Sequence, residues 1–352
     1  MDEPRNVGMS TDRSKRIPDP EAEWVLLPRP RSPRWYVPRR PGVATRRSFL
    51  VYHPVTRRSR IGWEVARWLA AHGGLRLLRP SALLPREVWD PVASLIPRHG
   101  ALAVAKANHP GRFLALIVGQ QGELRAFVKV ARDSHGCEAL QRERWALETL
   151  GVLLPPPLVA PRVLDHEEGV LVLEPVEWRA RMDPWRLPLE VAHALGRFFR
   201  ATATASDGSL GAMHGDCTPW NLLRTESGWT LVDWEDYGEG MPAFFDAFHF
   251  LVQASVELRR PTKRSIVEGL DLKGWVGASI EAYAAGCEID SAVAKHHFSR
   301  YLEQSAADLD AGAPRRAVRI RRKLSKRMRT RASHSDSLEG GNSPWNRQRG
   351  SA

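Results

Sequence analysis

Met213-His-Gly-Asp-Cys-Thr-Pro-Trp-Asn-Leu-Leu223 and Trp229-Thr-Leu-Val-Asp-Trp-Glu235 hold the residues best suited to chemistry. The first run reads His-x-Asp-x4-Asn, and Asp233 closes an apolar strand twelve residues after Asn221. Carboxylates and amide oxygens are the hard donors that Mg²⁺ prefers. A carboxylate beside an alcohol can also orient the hydroxyl and accept its proton. Phosphoryl transfer asks for those two services, charge neutralisation and a positioned acceptor, and for little covalent help. His-Gly-Asp by itself is also an ordinary turn. Asn221 and Asp233 in register weigh against the turn-only reading.

The pattern resembles the kinase catalytic loop H-R-D-x4-N and the metal-binding Asp that ends the next strand. Gly215 stands in place of the Arg, and Trp234-Glu235 in place of Phe-Gly. Those two changes are similar to the aminoglycoside phosphotransferase and choline kinase superfamily, with its H-G-D-x4-N loop and D-[WF]-E metal segment. The resemblance covers about residues 95–310. It implies a two-lobed, α+β, protein-kinase-like fold with a small antiparallel-sheet N-lobe and a mostly helical C-lobe. It implies ATP as phosphoryl donor and Mg²⁺ as cofactor. Asp216 would orient the acceptor and take its proton, while Asn221 and Asp233 would hold the metal. His214 belongs to the catalytic loop, where hydrogen bonding suits it better than proton transfer. Glu235 either assists the metal or braces the loop. Trp220 and Trp234 read as packing residues, and Cys217 as a passive thiol.

The first lobe supplies the nucleotide contacts that the same resemblance implies. Phe127-Val-Lys-Val130 places Lys129 on the lobe's third strand, where kinase-like folds keep a phosphate-binding lysine. A lysine in a strand is also an ordinary solvated residue, but this chain has only eight lysines. Glu143 is its expected helix partner, with Glu148 the alternative. Val170-Leu-Val-Leu-Glu-Pro-Val176 resembles the hinge, so Glu174 and Val176 would receive adenine through their backbones. Asn108-His-Pro-Gly111 stands where a glycine-rich loop would be, without the G-x-G-x-x-G pattern. Asp246 resembles the superfamily's structural Asp, which ties its helix to the catalytic loop.

The elements needed to position these residues are readable by periodicity. Strands are expected at Ala101–Ala107, Phe113–Gly119, Leu124–Ala131, Arg162–Asp165, Val170–Pro175, Leu222–Arg224 and Thr230–Val232. Helices are expected at about 61–71, 135–150, 187–203, 243–258, 272–286 and 290–310. Ile61, Val65, Trp68 and Leu69 share one helical face. Residues 24–58 are rich in Trp, Pro and Arg, which argues against a regular helix or a central strand, yet the tryptophans should pack. The expected domains are a disordered 1–20, an N-terminal extension 21–94, an N-lobe 95–178, a C-lobe 179–314, and a basic helix end with a loose tail 315–352.

The net charge of +12 sits at the ends. Residues 1–60 carry +8, residues 315–331 carry +10, and the core from 61 to 314 is mildly acidic. A specific nucleic-acid partner is therefore not expected. The run 315–331 reads either as a solvated, frayed end of the last core helix or as a contact with an anionic membrane surface. No apolar run reaches membrane-spanning length, no secretory leader is visible, and the three cysteines lack metal spacing. A cytoplasmic setting follows as the expectation. The acceptor would be a small hydroxyl-bearing molecule: a sugar, a glycan precursor, an aminoglycoside or an amino alcohol. The front end resembles phosphotransferase-like proteins associated with bacterial glycosyltransferase and surface-polysaccharide genes, which favours a sugar or glycan precursor. Glu257, Glu268, Asp271, Glu281, Glu288, Asp290 and Glu303 leave a cationic acceptor open. The competing reading is a non-catalytic, kinase-like nucleotide-binding regulatory protein.

Overall fold

A computed structural model describes residues 24–27, 34–78, 84, 86–97, 100–107, 111–204, 210–307 and 315–339. The expectations for residues 1–20, for 340–352 and for most of the Asn108–Gly111 loop lie outside them. The described residues form two compact units. One comprises those up to Tyr52, Arg58–Leu140 and Val163–Glu177. The other comprises His53–Arg57, Gln141–Arg162 and the residues from Trp178 onward.

The first unit is built on an antiparallel sheet. The chain contributes β1 (Trp24–Leu27), β2 (Trp35–Pro38), α1 (Val43–Ser48), α2 (Arg57–Ala71), α3 (Arg86–Ala93), β3 (Ala101–Lys106), β4 (Phe113–Val118) and β5 (Leu124–Val130), and α4 (Ser134–Thr149) begins in it, its residues from Gln141 onward belonging to the other unit. After β6 (Leu158–Val159), which belongs to the other unit, β7 (Val163–Glu167) and β8 (Val170–Leu173) complete it. The seven strands run in the order β1-β2-β3-β4-β5-β8-β7. Alternation of apolar side chains along them buries Val104, Ala115, Ile117, Val128 and Val172 against Val88 and Val92 of α3, as a half-buried sheet requires.

Two strands and a helix appear where the prolines argued against regular structure. Pro38 ends β2 rather than interrupting it, and Gly42 and Val43 open a short helix after Pro41. The ladder between Trp35-Tyr36 and Val104-Ala105 therefore forms without a proline in it. The tryptophans do pack. Trp35 lies 4.8 Å from Tyr52 and 4.9 Å from Trp63, while Trp63 Nε1 donates to Phe49 O at 2.9 Å. This cluster fixes the rotation of α2: Trp63 and Ala70 face inward. The predicted Ile61-Val65-Trp68 stripe is consequently exposed.

The second unit is mostly helical: α5 (Leu189–Ala201), α6 (Phe245–Glu257), α7 (Lys263–Gly269), α8 (Gly274–Cys287), α9 (Ala294–Ala307) and α10 (Arg315–Glu339). Beside β6, four short strands complete it: β9 (Leu210–Met213), β10 (Leu222–Arg224), β11 (Trp229–Leu231) and β12 (Gly238–Pro242). Strand β11 pairs antiparallel with β10 and parallel with β6, and β12 pairs with β9. Helices α5 and α8 cross closely because Gly196 and Gly286 lie at the contact. A Cβ on Gly196 would sit 2.2 Å from Tyr283 O, and one on Gly286 2.2 Å from His193 O. Helix α6 is buried on most sides by Phe245, Phe248, Phe250 and Leu251.

The basic run differs from both expectations of a frayed end and a loose tail beyond Ser333. It forms a helix of its own that packs on α6, α7 and α9 and continues to Glu339. Ala317, Ile320 and Leu324 are buried, and Arg321 Nε donates to Ser305 Oγ at 3.3 Å. Apolar residues at i, i+3 and i+7 supply the inner stripe. Among the described residues no helix is long and apolar enough to cross a membrane.

Candidate active site

The twelve-residue interval between Asn221 and Asp233 is a hairpin. Leu222 pairs with Leu231, and Val232 N donates to Asn221 O at 2.9 Å, so Asp233 follows the residue opposite Asn221. Asp233 takes φ +72°, in the left-handed region, which turns the chain away from the strand direction. Val232 is held from its other side as well, because His214 Nε2 donates to Val232 O at 3.1 Å. One residue thus joins the His-Gly-Asp loop to the Asp233 segment.

The loop is fixed at its base by α6. Asp246, in the first turn, is buried and accepts from His214 N at 2.8 Å and from Gly215 N at 3.0 Å. Burial raises its pKa, while His214 and the two amides oppose the rise. Gly215 takes φ +87°, and a Cβ there would lie 1.8 Å from Asp236 O. No side chain fits, which is the physical reason for Gly where the kinase loop has Arg.

His214 is fully buried, with its ring 4.7 Å from Trp234. Donation from Nε2 leaves Nδ1 as the unprotonated nitrogen, and it meets no hydrogen-bond partner among the described residues. Burial, opposed by the charges of Asp246, Asp216 and Asp233, holds the imidazole below its ordinary pKa and keeps it neutral. Trp234 is buried too, its N donating to Glu143 Oε1 at 3.3 Å and its Nε1 to Leu231 O at 2.9 Å.

Asp216 is partly open to solvent and held from two sides. Asn221 Nδ2 donates to Asp216 Oδ2 at 2.8 Å and to Asp216 O at 3.0 Å. This leaves the amide oxygen of Asn221 to face other partners. His249 Nε2 lies 3.1 Å from Asp216 Oδ1, and with its proton on Nε2 it donates to the carboxylate. Gln253 Nε2, one turn further along α6, lies 3.3 Å from His249 Nε2, and with the proton on that ring nitrogen the two donors form no hydrogen bond. Cys217 is buried, and burial pushes its thiol well above the ordinary range, so it is poorly suited to reaction.

A model of the phosphotransferase enzyme family matches residues 63–265. The chain belongs to that family. It is a small-molecule kinase by that membership. No curated protein matches it. Among solved structures, this phosphotransferase is similar to the streptomycin–ATP–APH(2″)-IIa ternary complex at 10% identity, over 68% of this chain and 96% of that one, with a TM-score of 0.44. Macrolide 2′-phosphotransferase MphH from Brachybacterium faecium aligns at 14% identity over 68% and 96%, with a TM-score of 0.43. Amicoumacin kinase hAmiN in complex with AMP-PNP aligns at 13% over 64% and 88%, with a TM-score of 0.34.

Within the second unit of the phosphotransferase, His214, Asp216, Asn221 and Asp233 come together through the contacts above. Glu235 lies beside them, half-buried, its carbonyl accepting from Arg142 Nε at 3.4 Å. Glu143 is fully buried, whereas Glu148 is exposed and pairs with Arg144 at 3.2 Å. Lys129, Glu174 and Val176 lie in the first unit. Lys129 is buried rather than solvated, opposite Leu114 and Leu171 in the sheet. Glu174 and Val176 are half-buried just past β8.

Two residues were not found from the sequence. His249 has no motif of its own and becomes visible only once α6 places it one turn after Asp246. Asp236 follows the D-W-E segment directly. Although its surface is exposed, loss of hydration and the charges of Glu235, Asp216 and Asp233 raise its pKa. Among the described residues no three His, Cys, Asp or Glu side chains form a ready metal cage.

Because His214 binds a proton less readily when folded than when unfolded, acid should favour the unfolded state. The unfolded chain takes up that proton near the ordinary histidine value, so stability should fall as pH drops from about 7 to about 5. Urea midpoints measured across this window should decline less steeply in His214→Gln than in the parent. Parallel slopes would exclude a buried, neutral His214.

Proposed function

We propose that this chain transfers the γ-phosphoryl group of ATP, with Mg²⁺, to a hydroxyl of a small molecule. The observation that carries the reading is the hairpin that sets Asn221 opposite Val232, next to Asp233, together with the side-chain bond from Asn221 to Asp216. Asp216 orients the acceptor hydroxyl and takes its proton as the acceptor oxygen bonds to the γ-phosphorus and the bond to the bridging oxygen of ADP breaks. His249 and Asn221 keep the carboxylate turned toward that hydroxyl. His214 positions the loop and transfers no proton.

Mg²⁺ is ordinarily held by one or two carboxylates together with phosphate oxygens and water. The donor set fits: Asp233 offers a carboxylate, Asn221 an amide oxygen, and Glu235 a third candidate at the rim. Loss of hydration is the main cause of the raised Asp236 pKa, and the neighbouring charges that add to it are a repulsion a cation would relieve. When bound, the ion would neutralise phosphate charge. Lys129 is assigned to the nucleotide phosphates with Glu143 as its partner, and Glu174 and Val176 to adenine, on the resemblance of their strands and helix to kinase-like folds.

Three of the seven C-lobe acids are already paired, which weakens the support for a polycationic acceptor. Glu268 pairs with Arg264, Asp271 with Lys295 and Glu288 with Arg200. A neutral polyol or sugar hydroxyl is the class that this balance leaves in front.

An acceptor screen with ATP and Mg²⁺, scored by ADP release, tests the activity. Asp216→Asn should lower turnover by about 10²–10⁴-fold with nucleotide affinity retained; wild-type turnover in that variant would remove Asp216 from its role. ATP binding without turnover in the parent, across the whole screen, would favour a regulatory protein instead. Lys129→Ala should raise the KM for ATP by about tenfold or more, and unchanged kinetics would remove Lys129 from the nucleotide site. His249→Phe should lower kcat by about tenfold with the KM for ATP unaltered, as loss of one bond to a charged group predicts. His249→Gln, which keeps a donor, should recover part of that loss, and equal losses in both would reduce His249 to packing.

A further inference from the structure

Helix α2 carries two apolar faces, and the fold uses one. Trp63 and Ala70 are buried beneath it. On the outer side Ile61, Val65 and Trp68, at i, i+4 and i+7, are 58%, 53% and 59% exposed. Leu77, in the turn that follows, is 90% exposed. A row of large apolar side chains in water opposes the hydrophobic effect and marks a contact surface. The charge around it has one sign. Between Arg57 and Leu78 stand five arginines and a single acid, Glu64, which already lies 3.1 Å from Arg67 Nη1.

We propose that this face of α2 docks on an anionic lipid bilayer, with Ile61, Val65 and Trp68 entering between the headgroups and the arginines meeting lipid phosphates. A bilayer is the partner that offers both an apolar interior and a negative surface. Tryptophan, with an apolar body and a polar N–H, suits the headgroup level. A nucleic acid would answer the arginines and give Trp68 a stacking partner, but it would leave Ile61, Val65 and Leu77 in water. The basic helix α10 differs in the same respect. Its stripe of Ala317, Ile320 and Leu324 is buried in the fold, so it presents charge with little to insert. The helix would lie in the plane of the headgroups, because it is too short and too polar to cross.

Co-sedimentation of the full chain with vesicles tests this, and needs no phosphotransferase activity. Vesicles of phosphatidylcholine alone would be compared with equal parts of phosphatidylcholine and phosphatidylglycerol. The parent should pellet with the anionic vesicles and remain in solution with the neutral ones. The triple change Ile61→Ser, Val65→Ser, Trp68→Ser, at exposed positions, should leave the urea midpoint unmoved and weaken partitioning by about tenfold or more. Arg57→Gln with Arg58→Gln should weaken it less, and added salt should weaken it further. Arg319→Gln, Arg322→Gln and Lys326→Gln together on α10 should leave it within about twofold. The proposal is overturned if the parent binds neither vesicle, if the triple variant binds like the parent, or if only the α10 variant loses binding. It is equally overturned if the parent self-associates without lipid and the triple variant does not, since a second copy would then cover the face.

Discussion

A carboxylate withdrawn from water, Asp246, accepts two consecutive backbone N–H groups, and the geometry of the His-Gly-Asp loop depends on that bond pair. Burying a charge is costly unless it is hydrogen-bonded, and here the bonds come from the loop the charge has to hold. Gly215 lies against Asp236 O at a distance no side chain would allow, so the loop also sits close to the segment after Asp233. The neutral ring of His214 completes the arrangement by bonding to Val232 O. The segments that carry Asp216, Asn221 and Asp233 are therefore placed by backbone contacts, while the side chains of Asp216 and Asn221 bond to each other.

Much of this was legible because its spacing is local. An Asn and an Asp twelve residues apart around a strand-turn-strand unit are brought together by hairpin register alone, and register follows from alternation of apolar residues. Glu143 was preferred to Glu148 through resemblance, and the helix buries the first and exposes the second. Asp246 was readable only through resemblance, since an acid at a helix start is ordinary. His249 was not readable, because its relation to Asp216 depends on how α6 lies across the loop.

Outside the site, the sequence misled where a pattern has two physical solutions. Ile61, Val65 and Trp68 recur with helical period, and period alone does not say which side of a helix meets the core. The Trp35–Tyr52–Phe49–Trp63 cluster decides it, and those rings are brought together by strands and a turn that periodicity did not reveal. Among the described prolines of the same region, Pro38 ends β2, and Pro41 and Pro54 lie outside helices and strands, where a missing N–H is harmless. The run 315–331 misled in the opposite way: its charge drew attention, while Ala317, Ile320 and Leu324, spread thinly among arginines, do the packing.

Val232 has a consequence for how this site can change over time. Its amide and carbonyl tie two segments together, yet its side chain takes no part in either bond. Any amino acid other than proline offers the same two groups. The join is thus indifferent to most substitutions at that position, and a survey of side-chain replacements would pass over it as neutral ground. Drift in the letters there need not disturb the architecture they spell.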